Sequence, residues 1–266
     1  MHINLEGKKG LVLGVANQRS IGWAIAEKLG AAGAQMAFSY QGDRLKETLE
    51  KLIAELKHPF LYPCDVTSDS DLDSLFAQIR GNLGKLDFVV HSVAYAPAST
   101  FEKAFHQTTR DEWRTAMDVS AYSLVAVATR AAPLMTDGGS ITTLTYLAAE
   151  RVVPHYNMMG IAKAALEASV RYLAYDLGPQ KIRVNAISAG PLRTIAARSI
   201  SGFGDMYSVA GSLSMLRRNI TQEEVGGLGL SLIADELGSG ITGETIYVDA
   251  GYHAMGMFLE ESNKDG

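Results

Sequence analysis

Tyr156 and Lys163 stand seven residues apart in YNMMGIAKA, a stretch that otherwise reads as alanine-rich helix. Seven steps of about 100° return to within about 20° of the starting direction, so the spacing predicts one stripe bearing a phenol and an ammonium about two turns apart. An ammonium near a phenol favours the phenolate against an unperturbed pKa of about 10, and the same ammonium can hold a sugar hydroxyl. Such a pair can serve one ligand, the phenol by lending a proton or stabilising charge and the cation by binding. Tyr146, just beyond the apolar run GSITTLTY, offers a second phenol. Taken alone, each residue also has a plain reading: an aromatic at a helix start, a solvated lysine stem, a loop aromatic on a sheet edge. The elements that carry them decide between the two.

Those elements alternate. GLVLGV (10–15) is a short, continuously apolar run, the mark of a strand buried on both faces. A helix is expected from about Ser20 to Gly33, then strand AQMAFSY, a helix near 43–57, strand PFLYPC, a helix over 69–83 and strand LDFVVHSV. After a polar loop at 97–109, one long helix is expected from Arg110 toward Pro133, then strand GSITTLTY, the helix containing Tyr156, and strand IRVNAIS. TQEE (221–224) matches a capping box, and ETIYVD reads as the last strand. Alternation of this kind predicts an α/β fold: a single Rossmann-like, doubly wound parallel sheet of about seven strands with helices on both faces, in one domain over 1–266. In such a sheet ligands bind outside the carboxyl ends of the strands, where Tyr146 and the helix after it belong. From Ala189 to about Ile220 no clean periodicity survives, and Gly190, Gly202, Gly204 and Gly211 suggest a mobile lid over 190–220. Gly226, Gly227 and Gly229 each cost a helix about 1 kcal/mol relative to alanine unless close packing requires them.

A dinucleotide site is expected at LVLGVANQRSIGWAI, a strand, a turn and a helix start, where a pyrophosphate can sit on unpaired amides. G-x-G-x-x-G is absent. Gly14 opens the turn, Ser20 can cap the helix and offer its hydroxyl, and Ile21 contributes an amide. At the end of the second strand Gln41 stands where an acidic ribose ligand is usual, and its amide brings no charge against a 2′-phosphate, which leaves NADH and NADPH open. Asp65 and Val66 follow the third strand, where a short acid can accept from an adenine amino group or simply make a turn.

Composition narrows the rest. A net charge of −5 with Lys and Arg spread along 266 residues carries no nucleic-acid footprint. One cysteine, Cys64, suits a reducing compartment, so the cytoplasm is expected. The first residues lack signal-peptide order, no apolar run approaches the ~20 residues of a membrane span, and the six histidines show no metal-ligand spacing. No G-x-S-x-G elbow supports a serine hydrolase.

HSVAYAP (91–97), YNMMGIAKAALEASVRYLAYDLGP (156–179), RVNAISAGPLRT (183–194) and GITGETIYVDAGY (240–252) together resemble the short-chain dehydrogenase/reductase superfamily and, within it, the bacterial enoyl-acyl-carrier-protein reductases. The likeness covers nearly the whole chain. Most superfamily members place the lysine four residues after the tyrosine; here that position is Met159, and the tyrosine lies one turn earlier. A carbonyl reductase delivers hydride to the carbon bearing the oxygen, whereas an enoyl thioester accepts it at the β-carbon and develops enolate charge on the distant thioester oxygen. A one-turn displacement, about 5.4 Å along a helix axis, suits the second task.

The resemblance implies hydride transfer from a nicotinamide cofactor to the trans-2 double bond of an enoyl thioester carried by acyl carrier protein. Tyr156 would then bond the enolate oxygen, Tyr146 would be the second active-site tyrosine, and Lys163 would bind the nicotinamide ribose. It also implies cofactor contacts from Gly14, Ser20, Ile21, Gln41, Asp65, Val66, Val93 and the segment Leu192, Arg193, Thr194, Ile195 and Ala196, a substrate contact from Ala96, and a homotetramer. Gln41 matches the NADH-using pattern. Two departures stand out: Ala94 occupies a position where many relatives have Gly, and SLSMLRRN lacks a proline common before Leu-Arg-Arg. A 3-oxoacyl reductase of the same superfamily and a non-catalytic NADH-binding protein are the rival readings.

Overall fold

The computed structural model describes residues 3–195, 197 and 202–257. Its strands are β1 (Lys9–Leu13), β2 (Gln35–Tyr40), β3 (Phe60–Pro63), β4 (Phe88–His91), β5 (Gly139–Thr145), β6 (Ile182–Ala189) and β7 (Thr245–Val248). They form one sheet in the order β3-β2-β1-β4-β5-β6-β7, every neighbouring pair parallel. The order reverses between β1 and β4, the switch point at which open parallel sheets hold ligands in the crevice outside the carboxyl ends of the strands.

Strand periodicity of two sorts the core into two layers. Leu11, Leu13 and Val89 join α3 (Asp69–Asn82), α6 (Ser123–Ala131) and α7 (Met158–Leu177) on one face. Val12, Phe38, Phe88 and Val90 join α1 (Ile21–Ala31), α2 (Asp43–Ile53) and α9 (Gln222–Ile233) on the other. Each fully buried aliphatic or aromatic side chain contributes about 1.5–3 kcal/mol, so these near-continuous apolar runs fix the sheet as the middle layer. Short helices α4 (Ser99–Glu102) and α10 (Asp235–Gly238) complete the set with α5 (Arg110–Met117) and α8 (Phe203–Leu213). Among the described residues no helix is long and apolar enough to cross a membrane.

Local chemistry explains several starts. The Thr221 hydroxyl accepts from the Glu224 amide while Glu224 returns a bond to the Thr221 amide, the box that TQEE predicts; Thr109 and Glu112 do the same for α5. Close packing accounts for two of the three glycines of α9. A Cβ on Gly226 would stand 2.5 Å from the Ala24 carbonyl oxygen, and one on Gly229 would stand 2.7 Å from Ile25, whereas Gly227 meets nothing.

Three expectations are corrected. The long helix after Arg110 is interrupted: Asp118–Tyr122 form a π-helical turn between α5 and α6. Tyr156 is not helical, because α7 begins only at Met158 and residues 154–157 form a turn. The 190–220 segment is not aperiodic throughout, since Phe203–Leu213 is α8, a helix that its two glycines, Gly204 and Gly211, concealed.

Candidate active site

Every candidate residue follows the carboxyl end of a strand, so the parallel sheet gathers them along one edge: Gly14 after β1, Gln41 after β2, Asp65 and Val66 after β3, Val93 and Ala96 after β4, Tyr146 after β5, and Leu192 to Ile195 after β6. Ala196 lies outside the described residues.

The turn after β1 requires glycine at its first position, because the chain there runs close against the backbone leaving β4. Gly14 adopts φ +83°, and a Cβ there would overlap the Ser92 carbonyl oxygen at 2.0 Å. Ser20 precedes α1, but its side chain does not cap the helix. Instead the Ala16 and Asn17 amides donate to its hydroxyl at 3.0 and 3.1 Å. The hydroxyl therefore braces the turn and keeps its own proton to donate. Left without partners among the described residues, the Ile21 and Gly22 amides point out of the helix start, a cradle suited to an anion. Further along the edge, Gln41 Nε2 donates to Asp65 Oδ2 at 2.7 Å, tying the ends of β2 and β3 together. Val66 and Val93 pack on the core as partly buried side chains, and Leu192 is buried against the opposite face. Arg193 stacks its guanidinium 4.5 Å from the Tyr207 ring of α8. The Thr194 amide donates to the Leu192 carbonyl, and Ile195 is exposed.

At the heart of the edge, Tyr146 and Tyr156 meet edge to face, centroids 5.0 Å apart. Ala96 packs with Phe101, Met158 and Met159, and Tyr156 lies against that apolar cluster. Tyr146 donates its hydroxyl to Met206 Sδ of α8 at 3.5 Å, so α8 covers the pair. Lys163 is 5% exposed, and its Nζ donates to the Leu144 carbonyl oxygen at 2.7 Å. That bond aims the ammonium at the end of β5, two residues from Tyr146.

Electrostatics correct the expected phenolate. Burial pushes the Tyr156 phenol well above its ordinary value, with Tyr146 adding to the rise, and the Lys163 ammonium is not among the causes. Burial, then Tyr252 and Asp249, raise Tyr146 to about 12. Both phenols are neutral hydrogen-bond donors. Burial lowers Lys163 to about 8 against the opposing pull of Glu167, the carboxyl one turn further along α7. Glu167 is itself raised, mainly by burial, and accepts from the Thr145 hydroxyl at 2.7 Å. His91 is fully buried between the Thr143 and Ser123 hydroxyls, and burial holds it near 3, a neutral core histidine.

Some contributors escaped sequence reasoning. Ser120, on the π-helical turn, accepts from the Tyr95 amide and donates to the Tyr95 carbonyl, both at 2.8 Å, fixing the chain beside Ala96. Asn157 and Met206 also stand at the site. No spacing rule marks them, because their partners are remote in sequence.

The switch-point crevice, the phosphate cradle and the phenol and ammonium at one strand edge define a nicotinamide-dinucleotide oxidoreductase of the short-chain dehydrogenase/reductase class. Within that class the match is specific: the family model described as enoyl-(acyl carrier protein) reductase matches residues 14–253, and the chain belongs to that family. It is 50% identical over 253 residues to "Enoyl-[acyl-carrier-protein] reductase [NADH] 1" of Rhizobium meliloti, covering 95% of this chain and 93% of that one. The Bacillus cereus enoyl-acyl carrier protein reductase, solved with NADP+ and indole naphthyridinone, superposes with a TM-score of 0.93 at 47% identity, covering 97% and 100% of the two chains. The Anaplasma phagocytophilum reductase solved with NAD gives 0.92 at 47% identity, covering 97% and 98%.

Proposed function

We propose that the protein reduces the trans-2 double bond of enoyl thioesters carried by acyl carrier protein, using NADH, in fatty-acid elongation. The observation that carries this reading is the neutral Tyr156 phenol, packed against Tyr146 and the Ala96 cluster at the carboxyl edge of the sheet. A donor that keeps its proton can bond an oxygen on which charge develops, and such a bond strengthens as the enolate forms.

The nicotinamide supplies the hydride when the cofactor is bound. Its pyrophosphate would rest on the Ile21 and Gly22 amides and the Ser20 hydroxyl, beside the turn that Gly14 opens. The Lys163 ammonium would hold the nicotinamide ribose, and Gln41, Asp65, Val66, Val93 and the Leu192–Ala196 segment would line the remaining length. NADH is favoured over NADPH because the Gln41 amide is already engaged by the Asp65 carboxylate, whose charge opposes a 2′-phosphate. Tyr156 would donate to the thioester oxygen and Ala96 would border the acyl chain. Saturation is completed by a proton at the α-carbon.

Over this edge the 190–220 segment would act as a lid, with α8 held down through Met206 and Tyr207. The exposed Tyr172 and Tyr175 of α7 fit burial in a homotetramer. A lone, buried Cys64 is compatible with the cytoplasm.

The test follows cofactor absorbance with a crotonyl thioester and NADH. Wild type is expected to turn over, and Tyr156→Phe to lose about 10²–10³ in kcat with NADH binding kept. Full turnover by the variant would remove Tyr156 from the mechanism, and reduction of a ketoacyl thioester in place of the enoyl one would favour the carbonyl-reductase reading.

A further inference from the structure

Asn157 separates the active-site tyrosine from its helix, and it does so in a conformation that side chains rarely adopt. Its φ is 41° and its ψ −115°, and His155 on the other side of Tyr156 also has a positive φ, 65°. Two unfavourable backbones flanking one residue persist only where surrounding contacts over-determine them. At Asn157 the contacts are on the page. Its amide nitrogen donates at 2.9 Å to the Thr100 carbonyl and at 2.9 Å to the Lys103 carbonyl. Both amide hydrogens are thus spent on one segment more than fifty residues away.

That segment is itself rigid. The Thr100 hydroxyl donates to the Pro97 carbonyl, and the Lys103 ammonium binds Glu112, which closes the capping box of α5. Phe101, lying between the two clamped carbonyls, packs with Ala96, Met158 and Met159 in the cluster that receives Tyr156. The clamp thus fixes residue 157 outside helix geometry where α7 begins, next to the residue whose ring meets Tyr146.

We propose that Asn157 is a positioning residue for the reduction, its two-donor clamp on the 100–103 backbone setting where the Tyr156 phenol stands. This rests on the role of Tyr156 given above. Only an amide fits the task. A carboxylate at 157 would face two carbonyl oxygens without a donor, and glycine would accept the backbone conformation but lose the clamp.

A double-mutant cycle tests the proposal on the full chain, read by kcat with NADH and a crotonyl thioester. Asn157→Gly is expected to lower kcat about 10²-fold, the scale of an ångström's misplacement, with the NADH dissociation constant unchanged. In a Tyr156→Phe background the same substitution should change the residual turnover by less than about twofold, because the group it positions is gone. Asn157→Asp, which keeps the side-chain shape and removes both amide donors, should behave alike in the same cycle. Equal losses in both backgrounds, undiminished turnover of Asn157→Gly, a fall in NADH affinity that accounts for the lost turnover, or failure of both variants to fold would overturn the proposal. An unimpaired Tyr156→Phe would instead strike the reading of the tyrosine itself.

Discussion

At the scale of single residues, the working state of the site is set by burial more than by charge pairing. The Tyr156 phenol is raised and stays protonated, available as a donor, while Lys163 is lowered to about 8, so it is still largely charged at neutrality and loses that charge as pH rises through 8. The sign follows. A lysine whose folded value lies below its ordinary 10.5 destabilises the fold below about pH 8, and this is relieved between 8 and 10.5 as the folded state releases its proton first. The proposed hold of the ammonium on the nicotinamide ribose runs the other way and is expected to weaken as pH rises through 8. Titration calorimetry with NADH should therefore show a dissociation constant that grows above that pH, and Lys163→Met should abolish the step while weakening binding about 10- to 100-fold. A pH-independent constant in wild type would contradict the ribose role. At the adenosine end, Asp65→Asn should lower the KM for NADPH several-fold while leaving NADH nearly unaffected, because it removes the charge beside Gln41.

Between elements, the contact of α1 with α9 shows where glycine is required and where it is merely tolerated. Gly226→Ala would drive a methyl group to 2.5 Å from the Ala24 carbonyl oxygen, a backbone atom that cannot swing aside, so urea unfolding should report a loss of about 1–3 kcal/mol. Gly227→Ala, one residue on, meets nothing within 4 Å and should gain up to about 1 kcal/mol from helix propensity alone. Equal effects at the two positions would mean that propensity, not packing, explains the glycines. The π-helical turn at Asp118–Tyr122 has a comparable role in placement, since the extra residue turns Ser120 inward to hold both backbone groups of Tyr95.

For the whole molecule, the parallel sheet converts residues scattered from 14 to 207 into one edge, because successive strands must all end on the same side. Its outer helices leave Tyr172 and Tyr175 75% and 82% exposed on α7, an aromatic surface that an isolated chain would present to water. Light scattering at micromolar concentration should give the mass of four chains, and Tyr175→Lys should shift it downward; a wild-type monomer would end the tetramer reading.

Strand order apart, the sheet was legible in the sequence. Doubly buried parallel strands announce themselves as apolar runs such as GLVLGV and IRVNAIS, and turn chemistry such as TQEE marks a helix start by local bonds. That Tyr146, Tyr156 and Lys163 belong beyond the end of β5 was legible from element order and resemblance, but the two-turn spacing did not survive, since Tyr156 precedes α7. Local periodicity could not say that Tyr156 leaves the helix, that its phenol stays neutral, or that Ser20 braces the turn and does not cap α1. Each of those is decided by groups far away in the chain: the Thr100 and Lys103 carbonyls that hold Asn157, the bulk that desolvates the phenol, and the turn amides that Ser20 faces. A sequence pattern records which surfaces must be buried, whereas the direction and charge of a polar side chain depend on what burial brings beside it.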